Sequence, residues 1–222
     1  MSSLPRPGAM LFDLDGTLVD TVPTRIAAWS TALEEAGLPF EQSHLVGLIG
    51  SDGKHIVTEV ARAAGLVVDE VRAEEIDRRS GEIYDGLNVD PRPLPGVGEL
   101  LEVVGRSGIP WAIATSSRAA QVGASVAALG LSTPPIIVDG SAVARAKPAP
   151  DLPLHGAAAL GVPPADCWLI GDSTWDVLAG AAAGMTTIAL TAGSAVEAVT
   201  LREAGASLVL ASAADVIELL ET

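Results

Sequence analysis

Phe12-Asp13-Leu14-Asp15-Gly16-Thr17-Leu18-Val19-Asp20 (FDLDGTLVD) is the stretch on which the reading of this 222-residue chain turns. It closes a short apolar run, Met10 to Leu14, of the length expected for a buried strand. Asp13 and Asp15 stand at i and i+2. On an extended segment they project to the same side, one pleat apart. Gly16 then lets the backbone turn. A strand that ends on paired acids and turns at once presents charge at the carboxyl edge of a sheet, where ligands bind in open α/β folds.

Working outward, five more runs of the same kind recur: Ile109 to Thr115, Pro135 to Asp139, Cys167 to Gly171, Thr186 to Thr191 and Ser207 to Ala211. Each is continuously apolar rather than alternating, as in strands covered on both faces of a parallel sheet. Ala-rich segments of helical length lie between them: Arg118 to Leu129, Asp151 to Leu160 and Asp176 to Ala183. Gly130, Gly161 and Gly184 follow at positions suited to ending a helix. Strands alternating with helices imply βαβ crossovers, so the expected class is α/β with a doubly wound parallel sheet.

Residues 20–93 break that rhythm and hold no convincing strand. Ile26, Trp29, Leu33 and Ala36 fall at helical spacing within Thr24 to Ala36, and His55 to Ala64 and Asp69 to Leu87 also read as helices. The Pro-rich Pro91 to Gly96 marks the return. The expected organisation is a Rossmann-like core from residues 1–19 and 94–222, with an all-helical cap domain, 20–93, inserted after the first strand.

Three further polar groups close predicted strands or their loops: Thr115-Ser116-Ser117, Lys147-Pro148, and Gly171-Asp172-Ser173-Thr174-Trp175-Asp176. Together with FDLDGTLVD, and in this order, they resemble the four signature motifs of the haloacid dehalogenase-like hydrolase superfamily. The helical insertion resembles the cap of its phosphoglycolate phosphatase and β-phosphoglucomutase branch. The resemblance implies a Mg²⁺-dependent phosphatase acting on a small phosphorylated metabolite, with phosphoglycolate or a sugar phosphate foremost. A phosphate monoester is dianionic and repels nucleophiles, so its cleavage requires charge neutralisation and positioning. Mg²⁺ favours oxygen ligands and keeps several waters, so a few acidic groups suffice. The implied ligands are the carboxylates of Asp13 and Asp172 and the backbone carbonyl of Asp15. Asp13 would attack phosphorus and form an aspartyl phosphate. Asp15 would protonate the leaving alkoxide and then deprotonate the hydrolytic water. Thr115 and Ser116 would hydrogen-bond phosphoryl oxygens, and Lys147 would offset charge as the group moves. Asp176 would act near the metal or on Lys147. Lys54, in the Gly50-Ser51-Asp52-Gly53-Lys54 loop between cap helices, would read a second anionic group of the substrate.

Within the superfamily, dehalogenases lack an acid two residues after the nucleophile, and Asp15 is present here. Phosphomutases usually carry an acidic pair before the Ser of the fourth motif, where this chain has Gly171-Asp172. Read without their neighbours, these residues have ordinary uses: a strand-end hydroxyl for Thr115, a solvated loop cation for Lys147 or Lys54, a helix N-cap for Asp172. Gly47 to Lys54 (GLIGSDGK) has the wrong glycine spacing for a phosphate-binding P-loop, and His55 stands where Ser or Thr is needed. His44, His55 and His155 share no metal-site spacing. The single cysteine, Cys167, forbids an intramolecular disulfide and reads as a small core residue.

The formal charge of −15 argues against a nucleic-acid backbone or an anionic membrane as partner, since both call for clustered Lys and Arg. No apolar run reaches the ~18 residues of a membrane helix, and Met1 to Gly8 does not read as a secretory signal. A cytoplasmic enzyme, monomer or homodimer, is expected.

Overall fold

The computed structural model describes residues 4–221. Six strands, β1 (Ala9–Phe12), β2 (Trp111–Ala114), β3 (Ile136–Val138), β4 (Cys167–Gly171), β5 (Thr186–Leu190) and β6 (Leu208–Leu210), form one sheet. Its order is β3-β2-β1-β4-β5-β6 and every pairing is parallel. Among the described residues ten helices accompany it: α1 (Val22–Glu35), α2 (Gln42–Leu48), α3 (Gly53–Ala63), α4 (Glu70–Leu87), α5 (Val97–Ser107), α6 (Gly123–Ala128), α7 (Asp151–Leu160), α8 (Thr174–Ala182), α9 (Ala198–Glu203) and α10 (Ala213–Glu221).

The central strands are apolar on both faces because both faces are covered. Met10, Phe12, Ile113, Ile170 and Ile188 pack with Leu100 and Val104 of α5 and Val216 of α10. Ala9, Leu11, Ala112 and Leu169 pack on the other side with Ala157 of α7 and Met185. Small residues let helices close on the sheet: a Cβ on Gly156 of α7 would meet Leu11 Cδ2 at 2.7 Å.

The chain leaves the sheet layer at Val19 and Asp20 and returns at Arg92 to Leu94. There the two crossings are tied side by side: Asp20 N–H donates to Arg92 O at 2.9 Å and Leu94 N–H to Leu18 O at 3.0 Å. Between them α1 to α4 bury a separate apolar cluster around Trp29, Leu33, Leu45, Ile56, Val60 and Ile76.

The expected α/β sheet with helices inserted after the first strand is what the chain forms. Differences are local. Arg118 to Leu129, expected as one helix, is a single 3₁₀ turn, Ala119–Gln121, followed by α6. Arg118 is extended at its start, and its N–H is taken by the Gln121 side chain at 3.2 Å. β3 starts one residue later than expected because Pro135 has no N–H to give the ladder. α2, α5, α9 and α10 were not anticipated.

Candidate active site

β1 and β4 are neighbours in register, Phe12 opposite Ile170. Asp13 and Asp172 therefore emerge beside each other at the carboxyl edge of the sheet. The turn after Asp13 is closed by Leu18 and Val19 N–H groups donating to Leu14 O, both at 3.0 Å. Gly16 sits in it at φ +82°, and a Cβ there would overlap Asp172 Oδ2. Glycine is required twice, by conformation and by space. The next residue uses that closeness: Thr17 Oγ1 donates to Asp172 Oδ1 at 2.8 Å.

Asp176 joins these two from the first turn of α8, where it forms a reciprocal cap with Ser173. Ser173 Oγ donates to Asp176 Oδ2 at 2.5 Å, and Asp176 N–H to Ser173 Oγ at 3.3 Å. The carboxylates of Asp13, Asp172 and Asp176 each offer an oxygen within 4.8 Å of the others, and all three residues are buried. Lys147 is fully buried against the group, its ammonium paired with Asp13 Oδ1 and lying 2.6 Å from Asp176 Oδ1.

The charges explain one another. Burial raises Asp13 to about 7; Lys147 opposes the rise, and Asp176 and Asp15 add to it. Asp172 is pushed well above the usual carboxylate range by burial and by Asp176 and Asp13. Burial alone would lower the Lys147 ammonium, but the charges of Asp13 and Asp176 outweigh it and hold it above its ordinary value. Three carboxylates facing a single ammonium leave negative charge in a dry place, and oxygen donors held this close suit a hard divalent cation.

Asp15 lives differently. Its side chain turns to the cap, where Thr21 Oγ1 donates to Oδ1 at 2.6 Å and Tyr84 OH at 3.0 Å. Arg25 Nη2 donates to Oδ2 at 3.0 Å and Ser117 Oγ at 2.6 Å. Burial would raise its pKa, but Arg25 and the hydrogen bonds from Ser117 and Thr21 carry it below the ordinary value. Arg25 lies 3.4 Å over the Tyr84 ring and also reaches Gln121 Oε1 at 3.2 Å.

Thr115 is buried at the end of β2. Its Oγ1 accepts from Ser117 N–H at 3.2 Å, and it lines the cavity between sheet and cap together with Asp13, Asp15, Ser116 and Asp172. Ser116 Oγ donates to Gly50 O across the cleft at 3.0 Å. Lys54 is placed elsewhere: its ammonium is 3.5 Å from Glu70 Oε1, outside the lining of that cavity. The loop before it does reach the site, through Gly50, Ser51 and Gly53. A Cβ on Gly50 would lie 2.8 Å from Ser173 Oγ, and Asp52 N–H donates to Lys147 O at 3.0 Å. Arg25, Tyr84, Ser117 and Gln121 were not singled out from sequence. Arg25 is the one with a signal, a lone cation beside the apolar stripe of α1.

The architecture and the acidic centre define a Rossmann-like α/β enzyme with a helical cap over its carboxyl edge. The sequence model described as haloacid dehalogenase-like hydrolase matches residues 10–190, and the chain belongs to that family. Hexitol phosphatase A of Escherichia coli (strain K12) is 36% identical over 188 residues, 82% of each chain. The β-phosphoglucomutase of Bacillus subtilis (strain 168) is 32% identical over 185 residues, 81% of each. A crystal structure of a hydrolase from Pseudomonas syringae superposes with a TM-score of 0.89 at 32% identity, covering 96% of this chain and 97% of that one.

Proposed function

We propose that this enzyme hydrolyses a phosphate monoester of a small metabolite, with Asp13 as nucleophile and Mg²⁺ as cofactor. The observation that carries the reading is the close set of Asp13, Asp172 and Asp176 with Lys147 locked against it. These three carboxylates would hold the cation, Asp176 in addition to the two expected; the side chain of Asp15 faces the cap, which leaves only its backbone carbonyl for that part. When bound, Mg²⁺ supplies charge neutralisation for the phosphoryl oxygens.

The remaining work belongs to the protein. Thr115 and Ser116 offer hydroxyls to the phosphoryl group, and Lys147 offsets its charge. Asp13 forms the aspartyl phosphate as the ester oxygen leaves. Asp15, held below its ordinary pKa, takes a proton from the water that releases phosphate and hands that proton to the leaving oxygen of the next turnover. Its contacts with Thr21, Tyr84, Ser117 and Arg25 aim it at the side of the cavity where a leaving group would lie. Two of the relatives named above are a hexitol phosphatase and a β-phosphoglucomutase, which supports a phosphorylated metabolite as substrate here. Hydrolysis is favoured over mutase chemistry by Gly171: it stands where phosphomutases usually carry the first acid of a pair, and a Cβ at that position would overlap the Asp176 carboxylate.

The test is release of inorganic phosphate from a panel of phosphorylated metabolites with and without Mg²⁺. Asp13→Asn is expected to abolish release while leaving the fold intact. Near-wild-type turnover by that variant overturns the nucleophile assignment.

A further inference from the structure

Building on the phosphatase reading above, we infer that Asp77 is a specificity residue: it accepts a hydrogen bond from a hydroxyl of an uncharged, polyhydroxylated leaving group and turns away substrates carrying a second anion.

The argument is a charge inventory of the cavity wall. Among the described residues, the charged side chains lining the cavity are Asp13, Asp15, Asp77, Asp172 and Arg25. Asp13 and Asp172 belong to the phosphate end. What faces the alcohol portion is therefore Asp15, Asp77 and one cation. That cation is committed: Arg25 reaches Asp15, Ser117 and Gln121, and its side chain is 11% exposed. Three of its five N–H groups are taken by those acceptors, and Nε is buried without a partner. Lys54, expected from sequence to meet a substrate carboxylate, points to Glu70 outside the lining. A carboxylate or second phosphate entering here would find two acids and one cation already paired with Asp15.

Asp77 is built to do the opposite task. It sits on the cavity face of α4, and Gly53 packs against it so closely that a Cβ there would overlap its Oδ1. Its Oδ2 takes the Arg118 guanidinium, which opposes the rise that burial gives its pKa. Among the described residues no group donates a hydrogen bond to Oδ1. Ser80 and Ser51 line the same wall. An acid oxygen sharing a cavity with small hydroxyls matches the donor and acceptor needs of a polyol or sugar, and a site built for such hydrogen bonds discriminates strongly against a ligand that cannot make them.

The experiment compares glucitol 6-phosphate with 2-phosphoglycolate by kcat/KM, in the wild type and in two variants. The wild type is expected to prefer the polyol ester by at least about tenfold. Asp77→Asn keeps shape and, with Glu74 still bridging Arg118 at 2.7 Å, keeps that tie to the cap. It is expected to narrow the preference by about 10- to 100-fold, through a weaker polyol KM and a better phosphoglycolate KM. Glu74→Gln, which loosens the same arginine without touching the cavity, is expected to leave the ratio where it was. A wild type that prefers phosphoglycolate overturns the inference and leaves the hydrolase reading standing. So does an equal effect of the two variants on the ratio, which would make Asp77 a tether for Arg118 only. Phosphate release from neither ester, nor from any other, sinks the hydrolase reading and the inference with it.

Discussion

Removing divalent cations should make this protein less stable as the pH rises, against the usual trend for an acid-rich chain. In the folded protein Asp13 titrates near 7, against 3.8 when freely exposed. Between those values the folded chain keeps a proton that the unfolded chain has released, so stability falls as pH climbs from about 4 to about 7. Three units at 1.36 kcal/mol each amount to about 4 kcal/mol, and Asp172, shifted the same way, adds to it. That is a large part of the 5–15 kcal/mol typical of a folded domain. At about 2–4 °C per kcal/mol for a chain of this size, the metal-free midpoint should drop by roughly 8–16 °C over the window. A cation bound by the ionised carboxylates removes the penalty, and its own affinity grows as they deprotonate. The readable quantity is the difference in Tm between samples with EDTA and with Mg²⁺, followed by scanning fluorimetry. Losses from the carboxylates held low by arginines, such as Glu35 and Glu74, occur in both samples and cancel. The Mg²⁺-induced rise should be small near pH 5 and about 10 °C near pH 8. A rise that is flat with pH, or largest in acid, refutes the reasoning.

Gly171→Ala places a methyl group into the Asp176 carboxyl and forces it off Lys147. Breaking such a buried pair costs about 3–5 kcal/mol, so chemical denaturation should show that loss and phosphate release should fall with it. Ser125→Ala removes the acceptor for Asn88 Nδ2, at 3.0 Å in a buried position where the end of α4 meets α6. A loss of about 1–3 kcal/mol is expected from the stranded amide, read from the denaturant midpoint.

The sheet was legible because strands covered on both faces leave unbroken apolar runs, and Cys167 to Gly171 ends where the run ends. The acidic centre was legible for a related reason: Asp13, Lys147 and Asp172 close such runs or the loops after them, so their place in the sequence fixes their place at the edge. The cap side of the cavity was not. Arg25, Asp77 and Tyr84 lie inside cap helices, where a polar residue next to an apolar stripe reads as solvent-facing until a second layer covers it. Lys54 misled for the converse reason: the loop enters the site, but α3 begins at Gly53, with Asp52 as its N-cap, and carries the lysine away from the cavity to Glu70. α5 does carry a signal, since Val97, Leu100, Leu101 and Val104 follow helical spacing. α2, with seven residues, is too short to show a period.

The strand that leads into Asp13 is made before the other five and completed late. Phe12 pairs with Ile113 on one side and with Ile170 on the other, so its second neighbour is translated 170 − 12 = 158 residues behind it. At about 5–20 residues per second, β1 waits roughly 8–30 s during synthesis with an open apolar edge. The helices of 22–87, whose contacts are local, can assemble in that interval and screen it. The position of the insertion, directly behind β1, thus gives the growing chain a folded neighbour during the time when it is most prone to stick to others.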